Sequence, residues 1–233
     1  MRIGCLAYPH CMITLYRMTD KKAIVLIHGI WMNSLEMLYL HQYFQKQGYN
    51  VYGFNYPSVR KSPAENARRL KKYIDNLAEQ EVHLVAHSLG GVVVLHMFDL
   101  FDDIKPGRVV LMGCPYRGSD TAKNLAMTYR QQPLIQKALL GRAQEGALLN
   151  DAPPWRAQRE LGVLAGNQPF GMGTTLRAIS DGAHDGTVHV KETVIDNAHD
   201  FTILPVSHTS MLFTPQSAQA VSHFLAQGHF PES

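Results

Sequence analysis

The chain has little that would staple, tether or extend it. Its 233 residues hold three cysteines, Cys5, Cys11 and Cys114. An odd count leaves at least one thiol free in a monomer, and no Cys-x-x-Cys pair offers zinc-ligand spacing. Neither a disulfide framework nor a structural zinc site is expected. No Asn-x-Ser/Thr sequon occurs. No apolar run reaches the roughly 18 residues that a membrane span needs. Gly4, Pro9, His10 and Arg17 interrupt the first twenty residues, where a signal peptide would carry an unbroken apolar stretch. Charge of one sign is also missing. The 22 Lys+Arg against 19 Asp+Glu give a formal charge of +3, too mild for a nucleic-acid partner or an anionic membrane. There is no internal repeat and no low-complexity tract. These absences point to a cytoplasmic protein without a membrane span, limited at most to transient contact with a membrane surface.

What is present is a globular balance, 45% hydrophobic and 18% charged, in a length that suits one domain. Ala23 to His28 is a short continuous apolar run ending at Gly29, as in strands buried on both faces of a parallel sheet. A helix is predicted over Ser34 to Gln47, stopped by Gly48, and a strand over Tyr49 to Tyr56, ended by Pro57. The next helix has the clearest start. Ser62 can cap, Pro63 sits first, and Glu65 completes a capping box. Ala67, Leu70, Ile74 and Leu77 recur at helical spacing, with Arg68, Arg69, Lys71 and Lys72 predicted on a solvated outer face.

A third strand, Val82 to Ala86, runs through His87-Ser88-Leu89-Gly90-Gly91 into Val92 to Phe101, a helix apolar nearly all round and therefore buried. Arg108 to Cys114 reads as a fourth strand. Alternating strands and helices imply a parallel sheet with right-handed crossovers. From about 118 to 159 the rhythm breaks into a Gln-, Arg- and Ala-rich stretch, predicted to be a helical cap inserted over the sheet's edge. Leu161 to Ala165 resumes as a strand. Another is expected around Leu176 to Ile179 or within Phe201 to Val206. Thr214-Pro215 opens a last helix stopped by Gly228. The reading is a single domain over 1–233, with a core of about 22–117 and 160–228 and a cap of about 118–159.

Ser88 carries the strongest chemical signal. A serine hydroxyl is a poor nucleophile unless a base takes its proton and the oxyanion it creates is stabilised. A sharp turn between a strand and a buried helix lifts Oγ clear of the sheet at the positive end of that helix. Such a turn tolerates only small residues two positions either side, here Ala86 and Gly90, with Gly91 allowing close packing. The common pattern has glycine in place of Ala86, a departure of one methyl. A serine that merely caps its helix is the plain alternative.

With these residues in place, the sequence resembles the α/β-hydrolase family, and within it compact bacterial lipases and lipase-like esterases. The resemblance rests on His28-Gly29-Ile30, Ala86-His87-Ser88-Leu89-Gly90-Gly91, Pro115 with Gly118-Ser119, Asp185-Gly186-Thr187-Val188 and Ser207-His208. It runs from about 22 to 225 and covers the cap with no signature. It implies an α/β fold, with a mostly parallel sheet between helices, and a Ser-His-Asp triad. Ser88 would be the nucleophile, Asp185 the acid in preference to Asp181, and His208 the base in preference to His184, His189, His199, His223 and His229. The backbone N–H groups of Ile30 and Leu89 would form the oxyanion hole. His28 is expected to bond loop backbone, and His87 and Trp31 to border the substrate. Trp31, Met32, Leu125, Met127, Leu134, Leu139, Leu148 and Trp155 are expected to line an apolar pocket or lid.

The resulting expectation is an esterase or lipase acting on small-molecule or lipid esters with an apolar acyl group, without cofactor. A metal held by His184, Asp185, His189, Asp196, His199 and Asp200 is disfavoured, since no His-Glu-x-x-His or comparable spacing is present. Acyl transfer, thioester cleavage and non-catalytic ligand binding remain the alternatives.

Overall fold

The computed structural model describes residues 22–146, 148–170, 179 and 182–232. Six strands form one parallel sheet: β1 (Ala23–Ile27), β2 (Asn50–Phe54), β3 (Val82–His87), β4 (Val109–Met112), β5 (Leu161–Gly166) and β6 (Asp200–Leu204). Their order across the sheet is β2-β1-β3-β4-β5-β6. Every residue of β1, β3, β4 and β5 is buried, which is why these strands read as unbroken apolar runs rather than alternating ones. Phe201 to Leu204 supplies the last strand. Of the other candidate, 176–178 lie outside the described residues.

The helices fall on both faces. Ala23, Val25 and Ile27 of β1 pack into one core with α2 (Pro63–Asp75) and α3 (Leu89–Leu100). Ile24 and Leu26, alternating with them, pack into a second core with α1 (Leu38–Lys46) and Pro215–Gln227, the last helix, α7. Period-two side chains thus feed two helix layers from one strand. A 3-10 turn, Ser34–Met37, precedes α1, so the single helix expected from Ser34 is divided. Ser62 caps α2 as its sequence requires: Ser62 Oγ accepts the Glu65 N–H at 3.3 Å, and the Glu65 carboxylate accepts the Ser62 N–H at 3.0 Å. The basic face of α2 is not uniformly solvated. Arg68, Arg69 and Lys72 are exposed, but Lys71 is buried, with its ammonium on Asp75 (2.8 Å) and Asp103 (3.2 Å). Two carboxylates offset the desolvation of that charge.

Between β4 and β5 lie α4 (Asp120–Thr128), α5 (Pro133–Leu139) and a 3-10 turn, Gly141–Gln144. α5 buries nothing, whereas Leu140, Ala143, Leu148, Ala152 and Trp155 join the core on the α2–α3 face. A four-residue helix, α6 (Val190–Thr193), precedes β6.

The strand order positions the site. The chain goes from β1 to β2 on one side, then returns past β1 to lay down β3 on the other. In an open parallel sheet the crevice outside the strand C-termini at such a reversal is where ligands bind. The segments that open there are Ile30–Met32 after β1 and Ser88 after β3.

Candidate active site

Ser88 joins β3 to α3 with φ 54° and ψ −124°. It and Trp31 (φ 59°) are the two non-glycine residues with positive φ among the described residues, and both border the same cavity. Holding a side chain in that conformation costs about 1–3 kcal/mol. Glycines after the turn let α3 lie close to β1 and β4. A Cβ on Gly90 would lie 2.6 Å from the carbonyl oxygens of Ile27 and His28. A Cβ on Gly91 would meet Cys114 Sγ at 2.5 Å. The Ser88 N–H donates to the Met112 carbonyl (2.9 Å), but its side chain makes no capping bond to α3. The capping alternative for this serine therefore fails.

Asp185 follows β5 and His208 follows β6. His208 Nδ1 lies 2.7 Å from Asp185 Oδ2, and the His208 N–H donates to the Asp185 carbonyl (2.8 Å). The other carboxylate oxygen accepts the N–H groups of Thr187 (2.9 Å) and Val188 (2.8 Å). Asp185 is 1% exposed, so these bonds fix one orientation in a low-dielectric site. Asp181 lies outside the described residues. Two glycines that the sequence did not single out make room for the pair. At Gly113 (φ +57°) a Cβ would lie 3.1 Å from His208 Nδ1 and 3.2 Å from Asp185 Oδ2, and at Gly166 one would lie 2.9 Å from Asp185 Cβ.

His87 ties the Ser88 turn to the His208 loop. Its Nε2 is 2.8 Å from the His208 carbonyl, and the two rings lie 4.6 Å apart. Burial pushes its pKa down to about 3, with the neighbouring His208 adding to the shift. The ring is therefore neutral, and the bond to a carbonyl places its proton on Nε2. His28 bonds loop backbone, as expected. Its Nδ1 is 2.8 Å from the Gly29 carbonyl, its carbonyl accepts the Tyr56 hydroxyl (2.8 Å), and its ring stacks on Tyr56 at 4.4 Å. Burial lowers its pKa too.

A cavity of about 300 Å³ opens beside Ser88, lined by Ile30, Trp31, Met32, His87, Ser88, Thr187, His208 and Thr209. The predicted Ile30, Trp31, His87, Ser88 and His208 thus meet at one place, with Asp185 behind His208. Leu89 opens α3 with its side chain in the core. The Trp31 N–H is committed to Ser58 Oγ (3.1 Å).

The expected apolar lining needs correction. Of its eight residues only Trp31 and Met32 reach this cavity. Leu125, Leu148 and Trp155 are buried, Leu139 packs against the α2–α3 core, and Met127 and Leu134 are 61% and 82% exposed. The segment between β4 and β5 turns its large side chains into the core or out to solvent. Thr187 and Thr209 were not anticipated. Their only signal was adjacency, one inside Asp-Gly-Thr-Val and the other next to His208.

The remaining histidines sit elsewhere. His199 accepts the Leu161 N–H (3.1 Å) at the start of β5, the opposite end of the sheet from Ser88. His184 Nδ1 accepts the Gly186 N–H (3.0 Å), and His223 and His229 pair ring to ring at 5.0 Å. Asp196 pairs with Arg117 and Asp200 accepts the Phe230 N–H. Among the described residues no three His, Cys, Asp or Glu side chains are grouped to hold a metal, and no helix is long and apolar enough to cross a membrane.

Residues 9–143 match the family described as "Domain of unknown function (DUF7379)". No curated protein matches the sequence. Solved structures do match the fold. The mature lipase BlEst2 of Bacillus licheniformis is 20% identical over 90% of this chain and 93% of its own, with a TM-score of 0.62. The carboxylesterase CesB (YbfK) of Bacillus subtilis is 15% identical over 90% and 85%, TM-score 0.57. A NocB thioesterase domain, solved as a covalent complex with a fluorophosphonate nocardicin G analogue, is 18% identical over 87% and 93%, TM-score 0.55. The chain has the α/β-hydrolase fold.

Proposed function

The chain belongs to the DUF7379 family, and for this member we propose a serine hydrolase that cleaves carboxylic esters with an apolar acyl group. The observation that carries this reading is the Asp185–His208 hydrogen bond beside a strained, uncapped Ser88 in one cavity. The similarity to lipase and carboxylesterase structures supports the same reaction class.

In the proposed cycle His208 Nε2 takes the Ser88 proton as Oγ attacks the ester carbonyl carbon. Asp185 holds the Nδ1–H tautomer and stabilises the imidazolium. The carbonyl oxygen becomes an oxyanion facing the N–H groups of Ile30 and Leu89, the latter at the positive end of α3. As the tetrahedral intermediate collapses, His208 returns the proton to the leaving alkoxide. Water then repeats the sequence on the acyl-enzyme, releasing the acid and restoring Ser88. Trp31 borders the acyl path, and His87 holds the His208 backbone.

The test is a panel of p-nitrophenyl esters of increasing acyl length on wild type and Ser88→Ala. The reading requires turnover by wild type and loss of at least about 10³-fold in the variant. Equal turnover by both overturns it. Matched thioesters, and added alcohol as acceptor, separate thioesterase and acyltransferase activity from ester hydrolysis. Turnover of none of these by a folded wild type, together with no labelling of Ser88 by a fluorophosphonate, favours a non-catalytic binding protein.

A further inference from the structure

The cavity beside Ser88 has two chemically different walls. Ile30, Trp31 and Met32, on the turn after β1, form an apolar one. Thr187, two residues after Asp185, and Thr209, next to His208, form the other. The Thr187 backbone is locked: its N–H donates to Asp185 (2.9 Å) and its carbonyl accepts the Thr121 hydroxyl (2.6 Å). The Thr209 carbonyl accepts the Leu212 N–H (3.1 Å). Neither threonine hydroxyl is used in a hydrogen bond among the described residues, so both remain available to a ligand.

The reaction itself decides which half of an ester meets which wall. His208 Nδ1 is occupied by Asp185, so Nε2 is the nitrogen that returns the proton to the leaving oxygen. The leaving alcohol must therefore lie against the imidazole, on the side of the cavity that Thr187 and Thr209 line. With the carbonyl oxygen toward the Ile30 and Leu89 N–H groups, the acyl chain departs the other way, along Ile30, Trp31 and Met32.

We infer that the substrate is a monoester of a polyol, and that Thr187 and Thr209 are the specificity-determining residues that hydrogen-bond the hydroxyls of its alcohol half. This rests on the ester-hydrolase reading. A site that bonds a substrate hydroxyl discriminates against the analogue lacking it. An apolar wall at the same place would favour a simple alkyl alcohol.

The test compares glyceryl 1-monobutyrate with propyl butyrate, which share the acyl group and alcohol carbon count and differ by two hydroxyls. Wild type is expected to show the higher kcat/KM for the glyceryl ester. Thr187→Val, which keeps the backbone bond to Asp185, is expected to lower the glyceryl-to-propyl ratio about 2- to 10-fold, the worth of one net hydrogen bond. Thr187→Ser is expected to restore it. Thr209→Val, at an exposed position, provides the same readout independently of any folding defect at 187. Equal or reversed preference in wild type, or an unchanged ratio in both Val variants, overturns the inference while leaving ester hydrolysis standing. Turnover of neither ester by folded wild type, with p-nitrophenyl butyrate also inert, overturns both.

Discussion

His87 Nε2 lies 2.8 Å from the carbonyl oxygen of His208, linking two residues 121 positions apart across the sheet top. The turn of the proposed nucleophile and the loop of the proposed base are thereby fixed to each other. His87→Ala should lower kcat about 10- to 100-fold with little change in KM, since displacement of the base by about 1 Å costs that much. His87→Gln, which keeps an N–H donor, should recover part of the loss. Steady-state kinetics on the three proteins checks this, with melting temperatures to exclude unfolding.

Asp185→Asn keeps the size of the side chain but replaces an acceptor by a group that favours the wrong imidazole tautomer. A loss of about 10⁴-fold in kcat is expected, with the fold intact by circular dichroism. A loss below 10-fold would assign the acid elsewhere, with Asp181 the next residue to replace.

Gly113→Ala places a methyl group 3.1–3.2 Å from the Asp185–His208 hydrogen bond at a position with φ +57°. The positive φ alone costs about 1 kcal/mol. The methyl also pushes on the pair, so kcat should fall further than stability accounts for. Urea denaturation alongside kinetics separates the two effects.

Glu192 ties the Asp185 loop to α4. Its carboxylate accepts the N–H groups of Asp120 (2.7 Å) and His189 (2.8 Å), with Asp120, Lys123, Lys191, His189 and Arg117 around it. Burial raises its pKa from 4.5 to about 7. The folded state then binds more protons than the unfolded state between those values, so this group's contribution to stability falls as pH rises from 4.5 to about 7. Buried His87 and His83 act in the opposite sense. Their pKa values are lowered to about 3 and about 4, so their contribution grows as pH rises toward 6.5. Glu192→Gln should therefore steepen the rise of stability with pH in this window, measured as urea midpoints at pH 5 and pH 7.5 in both proteins. Parallel profiles would contradict the raised pKa.

The central strands were legible because burial on both faces leaves an unbroken apolar run, as in Ala23–Ile27. The α2 start was legible because Ser62 and Glu65 are three residues apart. The sharp turn at Ser88 was legible because it constrains its own neighbours, Gly90 above all. What stayed hidden depends on contacts distant in sequence. Gly113 is needed because residues 72 and 95 positions later pass within a Cβ of it. Lys71 is buried with one of its two carboxylate partners, Asp103, on another segment. The large apolar residues of the insertion gave composition without direction, so their split between core and solvent had no local signature.

The most direct test of the Ser88–His208–Asp185 account is stoichiometric reaction of the folded protein with a fluorophosphonate, followed by peptide mass spectrometry. The account predicts about one phosphonyl group per chain, on Ser88, with labelling slowed strongly in His208→Ala and absent in Ser88→Ala. No adduct, or an adduct on another residue at an undiminished rate in His208→Ala, would contradict it.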